Sequence, residues 1–144
     1  MKTDVVLSDV SVSFSGHTVL QGINARFPAG EVSVMVGRSG SGKTTLLRTI
    51  NRLNEEFPGC GTTVSVTLDL GDGPRNIYGP ESAPAFPALR SRVGMLFQTP
   101  NLFPVSVYRN IAMPLRLVAD TPENAVPEAV ESSLASVGLW EELK

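Results

Sequence analysis

The 144-residue chain contains one cysteine, Cys60, and one histidine, His17. A lone cysteine excludes an internal disulfide and any multi-cysteine zinc site, and it fits a reducing compartment. A lone histidine excludes a histidine-cluster metal centre and leaves no spare His for a Ser–His system. Basic charge is not in excess either: Lys and Arg number 12 against 14 Asp and Glu, for a formal net charge of −2. Without a basic excess the simple electrostatic case for a nucleic-acid partner falls away. No apolar run approaches the roughly 18–20 residues that cross a bilayer. Asp4 also interrupts the place where a secretory leader needs its apolar stretch. These absences predict a cytoplasmic chain. At 42% hydrophobic and 18% charged it is neither a disordered acidic tail nor a low-complexity sequence. Its length suits one ordinary domain, commonly roughly 100–200 residues.

Along the chain, Val5–Phe14 alternates in part, with Val10, Val12 and Phe14 on one strand face. Ser15-Gly16-His17 reads as a turn into a second strand over 18–27, giving a hairpin. Glu31–Val36 is β-branched and nearly continuous in apolar character, as in a strand buried on both faces. A helix follows residue 43, with Leu46, Leu47, Ile50 and Leu53 as its stripe and Pro58-Gly59 as its end. Residues 62–70 alternate, as in a half-exposed antiparallel strand, and Gly71-Asp72-Gly73 is turn chemistry. Residues 74–87 read as loop, and Val93–Phe97 as a second buried strand. A helix is predicted over 106–118, kinked or split by Pro114. A last helix runs toward Gly138 with Val126, Val130, Leu134 and Val137 on one face; Pro122 and Pro127 both suit its first position.

The chemistry sits in Gly37-Arg38-Ser39-Gly40-Ser41-Gly42-Lys43-Thr44-Thr45. Gly37–Thr44 fits the phosphate-loop pattern G-x-x-x-x-G-K-[ST], which a chain of this length matches by accident with odds on the order of half a per cent. Each fixed position has a physical reason. The glycines let successive N–H groups converge on an anion, and the helix that follows adds its dipole and its unpaired N–H groups. Lys43 brings an ammonium to the β- and γ-phosphates, and the Thr44 hydroxyl offers a hard oxygen to Mg²⁺. His17 reads as a solvated turn residue and Cys60 as a small loop residue.

The loop, the segment ending in Phe97-Gln98 and the aromatic Phe14 together resemble an ABC-transporter ATPase subunit. The run Asn51-Arg52-Leu53-Asn54, then Pro58-Gly59, then Val93 to Ile111, with Pro114-Leu115-Arg116 and Leu139-Trp140-Glu141-Glu142, is similar to the phosphate-importing branch of that family. The resemblance implies an α/β P-loop NTPase fold of the ABC ATPase type, truncated. Residues 1–98 would form the phosphate-loop core with an N-terminal antiparallel β subdomain, and 99–144 the Q-loop and the start of the helical subdomain. It implies that Arg38, Ser39 and Thr45 join Gly37, Gly40, Ser41, Gly42, Lys43 and Thr44 around ATP, with Phe14 on the adenine. Gln98 becomes the Q-loop glutamine, contacting Mg²⁺ beside Thr44 and acting in catalysis with Lys43.

The family's signature Leu-Ser-Gly-Gly-Gln, its Asp-Glu strand end and its switch histidine have no match before Lys144. The resemblance therefore implies the N-terminal part of a longer subunit, with ATP held here and hydrolysis negligible in the 144 residues alone. It further implies a second ATPase subunit in a homodimer, membrane permease subunits of an importer, no nucleic acid, and a place on the inner face of the cell membrane. Leu102, where the phosphate branch often has Pro, and residues 71–87 depart from that branch's pattern. A non-transport P-loop ATPase and a non-catalytic ATP-binding module are the other readings.

Overall fold

β1 (Val5–Phe14) and β2 (His17–Phe27) pair antiparallel across a two-residue turn, with Phe14 opposite His17. His17 is thus the first residue of β2 and not part of the turn, which Ser15 and Gly16 make with positive φ at both positions. The computed structural model describes residues 4–71, 73–79 and 85–143. β1 also pairs antiparallel with β3 (Cys60–Asp69), which pairs with the short β4 (Pro74–Asn76), giving the order β2-β1-β3-β4. The ladder registers of β1 shift between Leu7 and Val10, where Asp9 has φ 49° and its N–H donates to the Asn24 side chain at 3.0 Å. That bulge re-phases the strand, so Leu7, Val10 and Val12 all point inward despite their uneven spacing.

The core beneath this sheet joins Leu7, Val10, Val12, Leu20, Val66 and Leu68 to Leu46, Ile77 and Leu89. Each fully buried side chain of this kind stabilises by about 1.5–3 kcal/mol over exposure. Leu46 comes from α1 (Lys43–Ile50) and Leu89 from α2 (Phe86–Arg90). α1 ends earlier than its periodicity suggests. Asn51 caps it, Arg52 turns left-handed at φ 58°, and Leu53–Glu56 continues as a 3₁₀ turn. Leu47 is consequently exposed and Leu53 lies off the helix.

Two expected buried strands are corrected. Residues 31–38 and 93–97 are irregular and unpaired, with Val32, Val34 and Val36 exposed at 94, 80 and 90% and Leu96 at 98%. A strand buried on both faces needs neighbours in its ladder, and among the described residues none pairs with either segment. Only Met35 and Val93 turn inward to the core. The expected loop over 74–87 is also more ordered than its composition implies. It contains β4, the fully buried Ile77 and the start of α2, with Pro87 in the first turn where its missing N–H costs nothing. Asp72 and residues 80–84 of the expected turn and loop lie outside the described residues.

The chain forms two units, Met1–Gly94 and Met95–Lys144. In the second, α3 (Val107–Leu117) packs on α4 (Val126–Ser136), burying Ala112 against Val126, Val130 and Leu134, with Trp140 of α5 (Trp140–Leu143) alongside. α3 runs unbroken through Pro114. Its N-cap Ser106 accepts from the Arg109 N–H at 3.3 Å. Pro122 precedes a 3₁₀ turn over Glu123–Ala125, and Pro127 sits in the first turn of α4, so each proline starts a different helix. α4 stops at Gly138, where the Leu139 N–H reaches the Leu134 carbonyl at 2.9 Å and the Gly138 N–H the Ala135 carbonyl at 3.0 Å. This is a Schellman stop, and it leaves Val137 exposed at the cap instead of on the buried face.

Candidate functional site

The phosphate-loop pattern falls on the irregular segment after residue 36 and on the first turn of α1. Gly40 and Gly42 both adopt left-handed backbone, at φ 76° and 87°. At Gly42 the space is closed as well: a β-carbon there would lie 2.7 Å from Leu20 Cδ2 and 3.4 Å from the Val19 carbonyl oxygen. β2 therefore abuts the loop at its last glycine, where the left-handed angle favours glycine and a β-carbon would force the Leu20 side chain to shift.

Gly42 is the N-cap of α1, and it supplies no side-chain cap. The first intrahelical bond is Leu46 N–H to the Gly42 carbonyl at 2.9 Å. The N–H groups of Lys43, Thr44 and Thr45 thus have no partner within the helix, and the first turn carries no acidic side chain to compete for them. The result is an electropositive helix start with converging donors. Lys43 lies along this loop: its ammonium donates to the carbonyls of Gly37 at 2.7 Å and Arg38 at 2.6 Å, and approaches Ser41 Oγ at 3.4 Å. One flexible cation and an array of backbone donors are thus gathered on one short segment. Ser39, Gly40, Ser41 and Thr44 are exposed and open to a ligand.

The donor set fits a polyphosphate. It also fits Mg²⁺ held largely by phosphate oxygens, since Thr44 offers one hydroxyl; among the described residues no group of three His, Cys, Asp or Glu gathers to cage a metal. Such an ion would neutralise phosphate charge there.

The sequence profile of the family described as ABC transporter matches residues 20–144, a span that includes the loop, α1 and Gln98. The chain belongs to the ABC transporter family. It is 42% identical over 143 residues to phosphate import ATP-binding protein PstB 1 of Vibrio vulnificus, covering 99% of this chain and 50% of that protein. It is 39% identical over 142 residues to PstB 2 of Aliivibrio fischeri, covering 99% and 50%. It is 39% identical over 146 residues to PstB 1 of Lactococcus lactis, covering 100% and 55%. The chain thus spans about half the length of these curated relatives. ABC ATPases bind ATP, in accord with the converging donors at α1.

In this ABC transporter family chain the other expected site residues stand apart from the loop in sequence. Phe14 ends β1, two residues beyond Val12, whose cross-strand partner Leu20 touches Gly42. Its ring is half-buried and meets Phe57 at 6.1 Å and 85°, while the Arg48 guanidinium lies 4.9 Å over Phe57. Gln98 is exposed in an irregular stretch of the second unit. Cys60 opens β3, and burial pushes its thiol above the usual range, which suits a packing residue.

The far end of α1 is built from residues that sequence reasoning passed over. Tyr78 Oη donates to the Thr49 carbonyl at 2.9 Å, and Arg90 donates to the Arg52 carbonyl at 3.1 Å. Arg52 lies between the rings of Tyr78 and Phe86, at 4.8 and 4.7 Å, and pairs with Glu55. That pairing raises the Arg52 guanidinium further above its ordinary value. Cations at the carbonyl end of a helix complement its dipole. Tyr78 stood in a segment expected to be loop, where composition gives no sign of a buried hydroxyl.

Proposed function

We propose that the chain is the ATP-holding part of a subunit that energises an importer by ATP hydrolysis, with inorganic phosphate as the solute. One observation carries the nucleotide reading: backbone donors without helical partners and the Lys43 ammonium share a single loop at the start of α1. Similarity along nearly the whole chain to relatives named for phosphate import supports the solute.

In this reading residues 37–45 enclose the phosphates, Thr44 and Gln98 contact Mg²⁺, and Phe14 meets the adenine. The segment 99–144 starts the helical subdomain. Gln98–Ile111, with the exposed Phe103, Val105 and Tyr108, faces the permease subunits at the inner face of the membrane. A second copy of the ATPase completes the ATP sandwich. Hydrolysis belongs to the full-length subunit, because the base that orients water lies in the family's later motifs.

Lys43→Ala should abolish tight Mg–ATP binding measured by calorimetry, and equal affinity of variant and parent would refute the reading. Cells lacking the subunit should lose high-affinity uptake of labelled phosphate. Normal uptake with intact ATP binding would favour a non-transport ATPase. Binding without turnover by the full-length protein would favour a non-catalytic module.

A further inference from the structure

Asn54 is one of the fully buried polar residues near the loop. It falls four residues after Ile50, continuing the apolar stripe of α1 onto the 3₁₀ turn, and its side chain is fully buried. Its Nδ2 donates to the carbonyl of Thr45 at 2.9 Å. The reversed amide would set oxygen against oxygen, so the orientation follows from the partner. Its Oδ1 is buried and finds no hydrogen-bond partner among the described residues. Leaving a buried amide half satisfied costs about 1–3 kcal/mol. Among the described residues, an apolar side chain of similar volume would avoid that cost.

What the carboxamide does hold is the first turn of α1. Thr45 follows the Thr44 hydroxyl and the Lys43 ammonium, and its own N–H is one of the unpartnered donors at the helix start. The bond crosses from the 3₁₀ turn to this carbonyl over nine residues of chain, so it sets where the first turn stands. We propose that Asn54 is a positioning residue for nucleotide binding, aligning the first turn of α1 with the phosphates through the Thr45 carbonyl. It does not touch the nucleotide. The proposal rests on the ATP reading of the loop.

The test uses the full-length protein, with Mg–ATP affinity by calorimetry and thermal midpoint measured on the same samples. Asn54→Leu should melt at or above the parent and bind Mg–ATP about two- to tenfold more weakly, the worth of one hydrogen bond. Asn54→Gln keeps the donor and should recover part of the affinity. A Leu variant that binds as tightly as the parent overturns the proposal. So does one that fails to fold, since the amide would then be a stability element. Failure of the parent itself to bind Mg–ATP would instead defeat the functional reading of the loop.

Discussion

A β-carbon on Gly42 would stand 2.7 Å from Leu20 Cδ2, so the last glycine of the loop is in contact with the second strand of the hairpin. The phosphate loop takes its position from β2 as well as from its own helix. Gly42→Ala should therefore suffer twice. A left-handed angle costs a non-glycine residue about 1–2 kcal/mol, and the clash adds to it. Chemical denaturation should show the loss, and measured against Leu20→Ala alone, the Gly42→Ala loss in the Leu20→Ala background should shrink only by the part due to the clash. Its complete disappearance would mean that the backbone angle is not strained.

The Tyr78 hydroxyl offers a pH test. Burial, and then the nearby Glu55 carboxylate, push its phenol well above the ordinary value of 10.0. The folded protein thus keeps a proton that the unfolded chain releases. This stability is complete below about pH 10 and is lost as pH rises beyond it. Tyr78→Phe should cost about 0.5–1.5 kcal/mol at neutral pH, from the bond to the Thr49 carbonyl. Between pH 10 and 11 the gap between parent and variant should narrow in urea unfolding. A constant gap would mean that the phenol is exposed.

Asp4 gives the opposite sign. The Ala29 N–H, then the Arg26 guanidinium, hold its carboxyl below 3.8. Its contribution is present above about pH 4 and fades as pH falls through the lowered value. Asp4→Asn should lower stability at neutral pH, where the carboxylate's contribution is present, and flatten the acid limb so that variant and parent converge at low pH. An unaltered acid limb would show that the pairing does not persist in solution.

In the second unit Asn110 ties its own loop together. Its Nδ2 donates to the carbonyls of Phe103, Val105 and Ser106, each at 3.1 Å, and its Oδ1 accepts from the Phe103 N–H at 2.9 Å. Asn110→Ala should speed hydrogen exchange at 103–106 while the β1 and β3 amides exchange as before. Unchanged exchange at Phe103 would show that Ser106 capping suffices.

The loop and the hairpin were legible because local rules govern them. A phosphate loop is short and its chemistry is held in consecutive residues, and strands such as β3 alternate because only one face is buried. Residues 31–36 and 93–97, expected as buried strands, are unpaired among the described residues, because apolar β-branched runs state a preference and pairing depends on neighbours far away in sequence. β4 and Ile77 were missed because a Pro- and Gly-rich composition marks turns without saying what packs beneath them.

The amino-acid sequence by itself determined the phosphate-loop pattern, the antiparallel hairpin and the Val126, Val130 and Leu134 face of α4, all set by spacing along the chain. Tertiary structure alone decided that Leu20 closes over Gly42, that Tyr78 and Arg90 hold the far end of α1, and that Asn54 holds its first turn. These are contacts between side chains and backbone groups that have no fixed sequence offset. Burial of a shared core brings them together, and no periodicity records it.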